Sequence, residues 1–251
     1  MRTSKIKIEI TTNELSEATK IEMWNLYQNY YNYSRDYFMK RIHRNNYFSI
    51  YRVDGKIVGF TGLRINRTSV GDKQYLLIYV GQTIIDRAFR GNALIPRTAV
   101  KLLMKYWKDL VRGRIYFWAD ALTYKAYLVF AKTVHEFYPT YKKPTPKTVK
   151  TLLDFVGDEY YAEAYNVATG TIKKNTVFVN DQSTIIDQHL ETDPDVLFFA
   201  QANPEYINGH GLLTITPMHS RNYLVMLRKC IIKLLTERRK KLKSYGQHSK
   251  P

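Results

Sequence analysis

Two arginines and a glycine stand where a long apolar segment gives way to a helical pattern. Residues 74–86 (QYLLIYVGQTIID) run nearly continuously apolar, which predicts a central strand covered on both faces. Arg87-Ala88-Phe89-Arg90-Gly91-Asn92 follows, and over 93–110 Ala99, Leu102, Leu103, Tyr106 and Leu110 recur at helical spacing. A glycine turn entering a helix leaves backbone N–H groups unpaired and pointing outward. With the helix dipole and the flanking Arg87, Arg90 and Arg97, these groups make a seat for phosphate or pyrophosphate. The same turn also serves as plain structure in many α/β proteins, so physics alone leaves both readings open. Gly81, inside the strand, marks a bulge or a close approach of backbone.

The surrounding elements must position that turn. SKIKIEI, residues 4–10, alternates polar and apolar and predicts a first strand. Residues 15–44 read as one or two helices carrying Trp24, Tyr27, Tyr30, Tyr31, Tyr33, Tyr37 and Phe38. The β-rich runs 47–53 and 56–64 flank Asp54-Gly55, a pair that predicts a hairpin because the favoured turn needs positive φ at both central positions. After the turn-and-helix come a strand at 114–119 (RIYFWA) and a helix at 122–137. Pro139, Pro144 and Pro146 break the pattern and place the best internal boundary at 138–147. Beyond it the sequence predicts a helix near 147–156, a hairpin at Ala168-Thr169-Gly170, a short helix near 194–201 and a strand at 212–216.

Composition narrows the class. The 251 residues are 45% hydrophobic and include 21 Tyr, 11 Phe and 3 Trp, enough to build a buried core and too many for a disordered chain. A single cysteine, Cys230, excludes an intrachain disulfide framework and a Cys-rich zinc site, and its place in an apolar pattern makes it a core filler. The first residues alternate and carry charge, unlike a signal peptide, and no apolar run reaches membrane-spanning length, so a soluble, cytoplasmic protein is expected. Net charge is +17, and residues 219–251 hold ten of the 39 Lys and Arg against one acid, Glu237. Leu224, Leu227, Ile231 and Leu234 mark that stretch as a basic amphipathic helix, either a packed terminal helix or a docking surface for an anionic partner.

YRVDGKIVGFTGL, then the long strand, then IIDRAFRGNAL entering a helix, then a strand and ALTYKAYLVFAKTV, resembles the GNAT (GCN5-related N-acetyltransferase) superfamily over roughly residues 4–138. The resemblance implies a mixed, mostly antiparallel α/β sheet flanked by helices. It divides the chain into an acyltransferase core at 1–140 and an α/β extension at 141–251 that completes the sheet and ends in the basic helix. It implies N-acyl transfer from an acyl thioester, acyl-CoA or an acyl carrier protein, to an amine. No metal is expected.

In that family the end of the central strand binds pantetheine, which here implies backbone groups of Thr83, Ile84 and Ile85. The pyrophosphate loop maps to Arg90, Gly91, Asn92, Ala93, Leu94 and Ile95, with Ala93 in place of the middle glycine and Ile95 in place of the last small residue. The family's general-acid tyrosine falls on Phe130, which has no proton to give, leaving Tyr124 or Tyr127 as substitutes. Candidate bases for the acceptor amine are Tyr79, Asp86, Asp120 and His210. The first helices cover the acceptor side in the family, so Tyr27, Tyr30, Tyr31 and Tyr37 are candidates for an acyl or acceptor wall, one suited to a chain longer than acetyl. The acceptor is a small molecule, a peptide or a protein side chain, and a carrier protein or acidic peptide is a candidate partner for the basic surface. The alternative is a non-enzymatic module on the same fold that binds nucleic acid or another partner through its basic tail.

Overall fold

A computed structural model describes residues 5–174 and 185–248, with side chains of the last helix as far as Thr236. The chain opens with β1 (Lys7–Thr12), α1 (Glu17–Tyr27) and α2 (Arg35–His43). Both helices start on a serine whose hydroxyl accepts a backbone N–H: Ser16 from Thr19 at 3.3 Å and Ser34 from Tyr37 at 3.2 Å. β2 (Tyr47–Val53) and β3 (Lys56–Val70) form the expected hairpin, with φ of 48° at Asp54 and 84° at Gly55. β3 runs past the predicted strand end near 64 to Val70, turns at Gly71 and returns as β4 (Lys73–Ile85).

The expected helix at 93–110 is two. α3 (Leu94–Lys105) ends at Tyr106, whose φ/ψ of −107°/34° breaks the helix before α4 (Trp107–Val111). Next come β5 (Ile115–Ala121) and α5 (Tyr124–Thr133), which stops short of the predicted 137. The remainder supplies α6 (Lys147–Tyr161), the short hairpin β6 (Tyr165–Asn166) and β7 (Thr171–Ile172), α7 (Pro194–Ala202), β8 (Gly211–Met218) and α8 (Ser220–His248).

The eight strands of the described residues join one sheet in the order β1-β2-β3-β4-β5-β8-β7-β6, antiparallel except for β4 beside β5. This is the mixed, mostly antiparallel α/β architecture that the resemblance implied. Chain from both sides of the proline-rich boundary feeds that sheet, since β8 pairs with β5 along its whole length. One face packs under α3, α5, α7 and α8 around Leu102, Phe117, Tyr127, Phe199 and Met226; Cys230 lies buried on α8, its thiol pushed upward by burial. On the other face α6 covers Tyr79, Trp118 and Leu213, while α1 and α2 cover Phe48, Ile50, Phe60 and Ile84.

One irregularity positions everything that follows. β4 pairs with β5 only from Leu76 to Tyr79, after which β4 keeps β3 alone and β5 keeps β8 alone. The two central strands therefore separate beyond Tyr79 and Trp118. In the same stretch Gly62 faces Gly81 but Phe60 faces Ile84, so β4 holds one extra residue, and Gln82 takes a φ of 46°. An extra residue inverts the alternation of the strand. Tyr79 packs toward α6, whereas past the bulge it is Ile84 that packs on that face, and Thr83 turns across to the Thr61 hydroxyl, 3.1 Å away.

Candidate active site

The separation of β4 and β5 opens a cavity of about 380 Å³. Its outer end meets Arg90, Ile95 and Pro96 at the start of α3 and Lys125 on α5; its inner end reaches Phe117, Val134, Met218 and Met226, all buried. Between them run Val80 to Ile85 of β4, with no strand partner on the side that faced β5. Thr123 caps α5, accepting from the Ala126 N–H at 3.2 Å, and thereby turns Ala126 and Phe130 toward the cavity. A second cavity of about 560 Å³ lies against α2 and α6, lined by Tyr37, Arg64, Tyr79, Tyr160, Tyr161 and Lys174 among others. Arg41, Gln82 and Asp120 line both, so the cavities meet there.

Asp120 is the polar centre of that junction. One carboxylate oxygen accepts the Tyr79 hydroxyl at 2.8 Å; the other accepts the Tyr161 hydroxyl at 2.8 Å and the Lys174 ammonium. Burial alone would push this carboxyl upward, but the Lys174 charge and the three donors outweigh it and hold the group at about 2. Burial pushes Tyr79 and Tyr161 well above the ordinary tyrosine range, so both remain hydroxyl donors. Arg64 stacks over this group, its guanidinium carbon 4.3 Å from the centre of the Tyr79 ring and 5.1 Å from that of Tyr160.

Gln82 is held at the bulge by Asn45, whose side-chain N–H donates to Gln82 Oε1 at 2.7 Å. The same Asn45 nitrogen lies 3.5 Å from the Arg41 carbonyl, which fixes the sense of the pair and turns Gln82 Nε2 away, buried and without a partner among the described residues. Gly81 is required by contact. A Cβ built there would lie 2.0 Å from the Tyr79 hydroxyl oxygen. Gly81→Ala is therefore expected to drive Tyr79 off Asp120 and to cost about 1–3 kcal/mol as overpacking. A shift in the urea midpoint, relieved when Tyr79 is also cut to serine, checks this.

The sequence candidates divide between these cavities and their supports. Tyr79 and Asp120 meet at the junction, and Thr83, Ile84, Ile85, Arg90 and Ile95 line the first cavity. Gly91 and Ala93 take positive φ of 90° and 53° in the turn before α3; Asn92 donates to the Phe89 carbonyl at 2.9 Å, and Leu94 packs with Ile8, Tyr51 and Val58. Tyr30 and Tyr31 line the first cavity and Tyr37 the second, while Tyr27 is buried between Tyr31 and Phe38, ring centres 4.8 Å away in each case.

Asp86 caps the short 87–89 turn, accepting from Ala88 N–H at 2.9 Å. Tyr127 donates to the Pro139 carbonyl and Tyr124 to Asp187, both at 2.9 Å, and neither lines either of these two cavities. His210 also lies outside both. Glu136, just past the end of α5, receives the Tyr138 hydroxyl at 2.9 Å and pairs with His219 at 3.2 Å.

Arg41, Arg64, Gln82, Tyr161 and Lys174 were not anticipated. Arg41 reads in sequence as a cation of a last helical turn, and Lys174 stands 54 residues from Asp120. Among the described residues no cluster of His, Cys, Asp and Glu has the makings of a metal site, and no helix is long and apolar enough to cross a membrane.

Neither a protein-family model nor a curated protein sequence matches the chain. Solved structures resemble parts of it. A probable N-acyltransferase from Enterococcus faecalis is 13% identical over 52% of this chain and 33% of its own, with a TM-score of 0.38. An aminoglycoside acetyltransferase from an uncultured soil metagenomic sample is 18% identical over 57% of this chain and 97% of its own, TM-score 0.37. A GCN5-related N-acetyltransferase from Kribbella flavida is 10% identical over 51% and 32%, TM-score 0.37. The chain thus spans about a third of the Enterococcus and Kribbella proteins it resembles.

Proposed function

We propose that this chain is a GNAT-type N-acyltransferase that moves an acyl group from an acyl thioester in the first cavity to an amine in the second. One observation carries the reading: β4 and β5 part beyond Tyr79 and Trp118, leaving the 80–85 edge of β4 free along a cavity that runs from the start of α3 to a second cavity. A pantetheine arm is an extended amide chain, and a free strand edge offers it backbone donors and acceptors. The carrier is coenzyme A or a carrier protein, with Arg90 and the α3 turn beside the phosphate of either. The apolar inner end at Phe117, Met218 and Met226 supports an acyl chain longer than acetyl.

The amine nitrogen attacks the thioester carbonyl carbon and the oxygen takes the negative charge; the C–S bond then breaks, and the proton on nitrogen passes to water or to the departing thiolate, leaving amide and thiol. The Gln82 amide at the β4 bulge, a donor without a partner among the described residues, suits the developing oxyanion. α5 turns no tyrosine hydroxyl into the cavity, because Phe130 stands there and Tyr124 and Tyr127 are engaged elsewhere. A thiol pKa of about 8.5 makes unassisted departure practicable near neutral pH.

Asp120, held at about 2, is a poor proton acceptor; in this reading it orients Tyr79, Tyr161 and Lys174. Arg41, Arg64 and Lys174 surround the acceptor with positive charge, which lowers the pKa of an ammonium and delivers it as free amine. The kcat/KM profile is therefore expected to rise with pH to a plateau whose apparent pKa lies below that of the free acceptor. Calorimetry with acetyl-CoA, octanoyl-CoA and an acyl carrier protein tests the reading, and binding of none of them would overturn it.

A further inference from the structure

The second cavity holds more positive charge than its acids neutralise. Asp120 is in direct contact with Lys174 and its single charge also acts on Arg41, and Glu159 lies exposed at the edge. Arg41 and Arg64 remain. Among the described residues neither guanidinium is in ion-pair contact with a carboxylate, and neither makes a hydrogen bond through its side chain. Arg64 Nε is buried without a partner among the described residues, and the group rests on the faces of Tyr79 and Tyr160. Arg41 contacts the Tyr37 ring at 5.9 Å. Arg44 and Lys173 line the mouth of the same cavity.

Two partly buried guanidiniums, unpaired among the described residues, carry a desolvation cost that an anion between them would offset. Their planar, fork-like donors match a tetrahedral oxyanion, and two positive charges match a phosphate better than a single carboxylate. We propose that the second cavity recognises an acceptor amine that carries a phosphate group, seated between Arg41 and Arg64. This rests on the acyltransferase reading only in calling the ligand the acceptor; the anion seat stands on its own residues. A cationic amine with no acidic group, by contrast, meets repulsion here.

Inorganic phosphate and pyrophosphate are the probes, titrated against the full chain without thioester and followed by calorimetry and thermal shift. Because the start of α3 is the other place where pyrophosphate can sit, Arg90→Gln is the background: pyrophosphate is expected still to bind to Arg90→Gln, at least tenfold more weakly to Arg90→Gln/Arg64→Gln, and with intermediate affinity to Arg90→Gln/Arg64→Lys. Circular dichroism melts confirm that each variant is folded, and Arg41→Gln in the same background provides an independent arm should Arg64→Gln unfold. No binding to wild type, loss already complete in Arg90→Gln, or equal affinity for succinate would each overturn the proposal. Acyl-thioester binding without pyrophosphate binding would remove this inference and leave the acyltransferase standing; the reverse pattern would do the opposite.

Discussion

Asp120→Asn is expected to destabilise the protein by about 3–5 kcal/mol, the range for removing one partner of a buried ion pair, and to lower acyl transfer at least a hundredfold. The amide would keep its place between Tyr79 and Tyr161 but leave Lys174 without a counter-charge beside Arg41 and Arg64. Against a total of roughly 5–15 kcal/mol for an ordinary domain, that loss is large. The wild-type carboxyl titrates at about 2 in the fold against 3.8 ordinarily. A depressed carboxyl stabilises the fold above its unfolded pKa, and the contribution is lost as pH falls from about 4 toward 2. It amounts to on the order of 2 kcal/mol. Urea midpoints measured from pH 6 down to 2.5 should fall steeply in wild type and more shallowly in Asp120→Asn. Removing the stranded cation as well, in Asp120→Asn/Lys174→Met, should recover part of the loss at neutral pH. Equal slopes in wild type and variant would mean that the carboxylate is not held by these donors.

What the sequence made legible is local. Asp54-Gly55 between alternating runs, the unbroken apolar stretch at 74–86 and the glycine turn before a helical repeat each carry their meaning within a dozen residues. The junction has no such signature. Arg41 follows from a helix register, Arg64 from a strand, Tyr161 from a helix end and Lys174 from the chain just after a two-residue strand, and only the sheet order brings them to one cavity, where Tyr161 and Lys174 bond Asp120. Gly81 announced an irregularity, but its requirement, the Tyr79 hydroxyl folded over it, is a contact rather than a turn. The break at Tyr106 was invisible because Tyr106 and Leu110 keep the helical period across it. Residues 65–70 hid for the opposite reason: NRTS is polar and lacks the apolar alternation of a covered strand, yet it is drawn into β3 by pairing with β4. Much of the basic tail lies past Thr236, outside the side chains described.

Two substitutions at opposite ends of the first cavity should separate binding from chain-length choice. Ala126→Trp places an indole beside Thr123 and Phe130, in space that is open in the wild type, at a helix-propensity cost of about half a kcal/mol. It should weaken binding of every acyl thioester at least a hundredfold while the melting temperature moves by only a few degrees. Met226→Trp acts at the buried end, where Phe117 and Met218 complete the apolar wall. A methylene withdrawn from water contributes about 0.8 kcal/mol, close to fourfold in affinity, so even a few methylenes excluded from that end change preference steeply. Met226→Trp should keep transfer from acetyl-CoA within about threefold and lower transfer from octanoyl-CoA at least thirtyfold, by the same per-methylene factor. A chain-length profile unchanged by Met226→Trp, in a variant that melts normally, would place the acyl chain elsewhere. The remaining place would be the tyrosine wall of α1 and α2, and Tyr30→Ala and Tyr31→Ala would then be the variants that shift the profile.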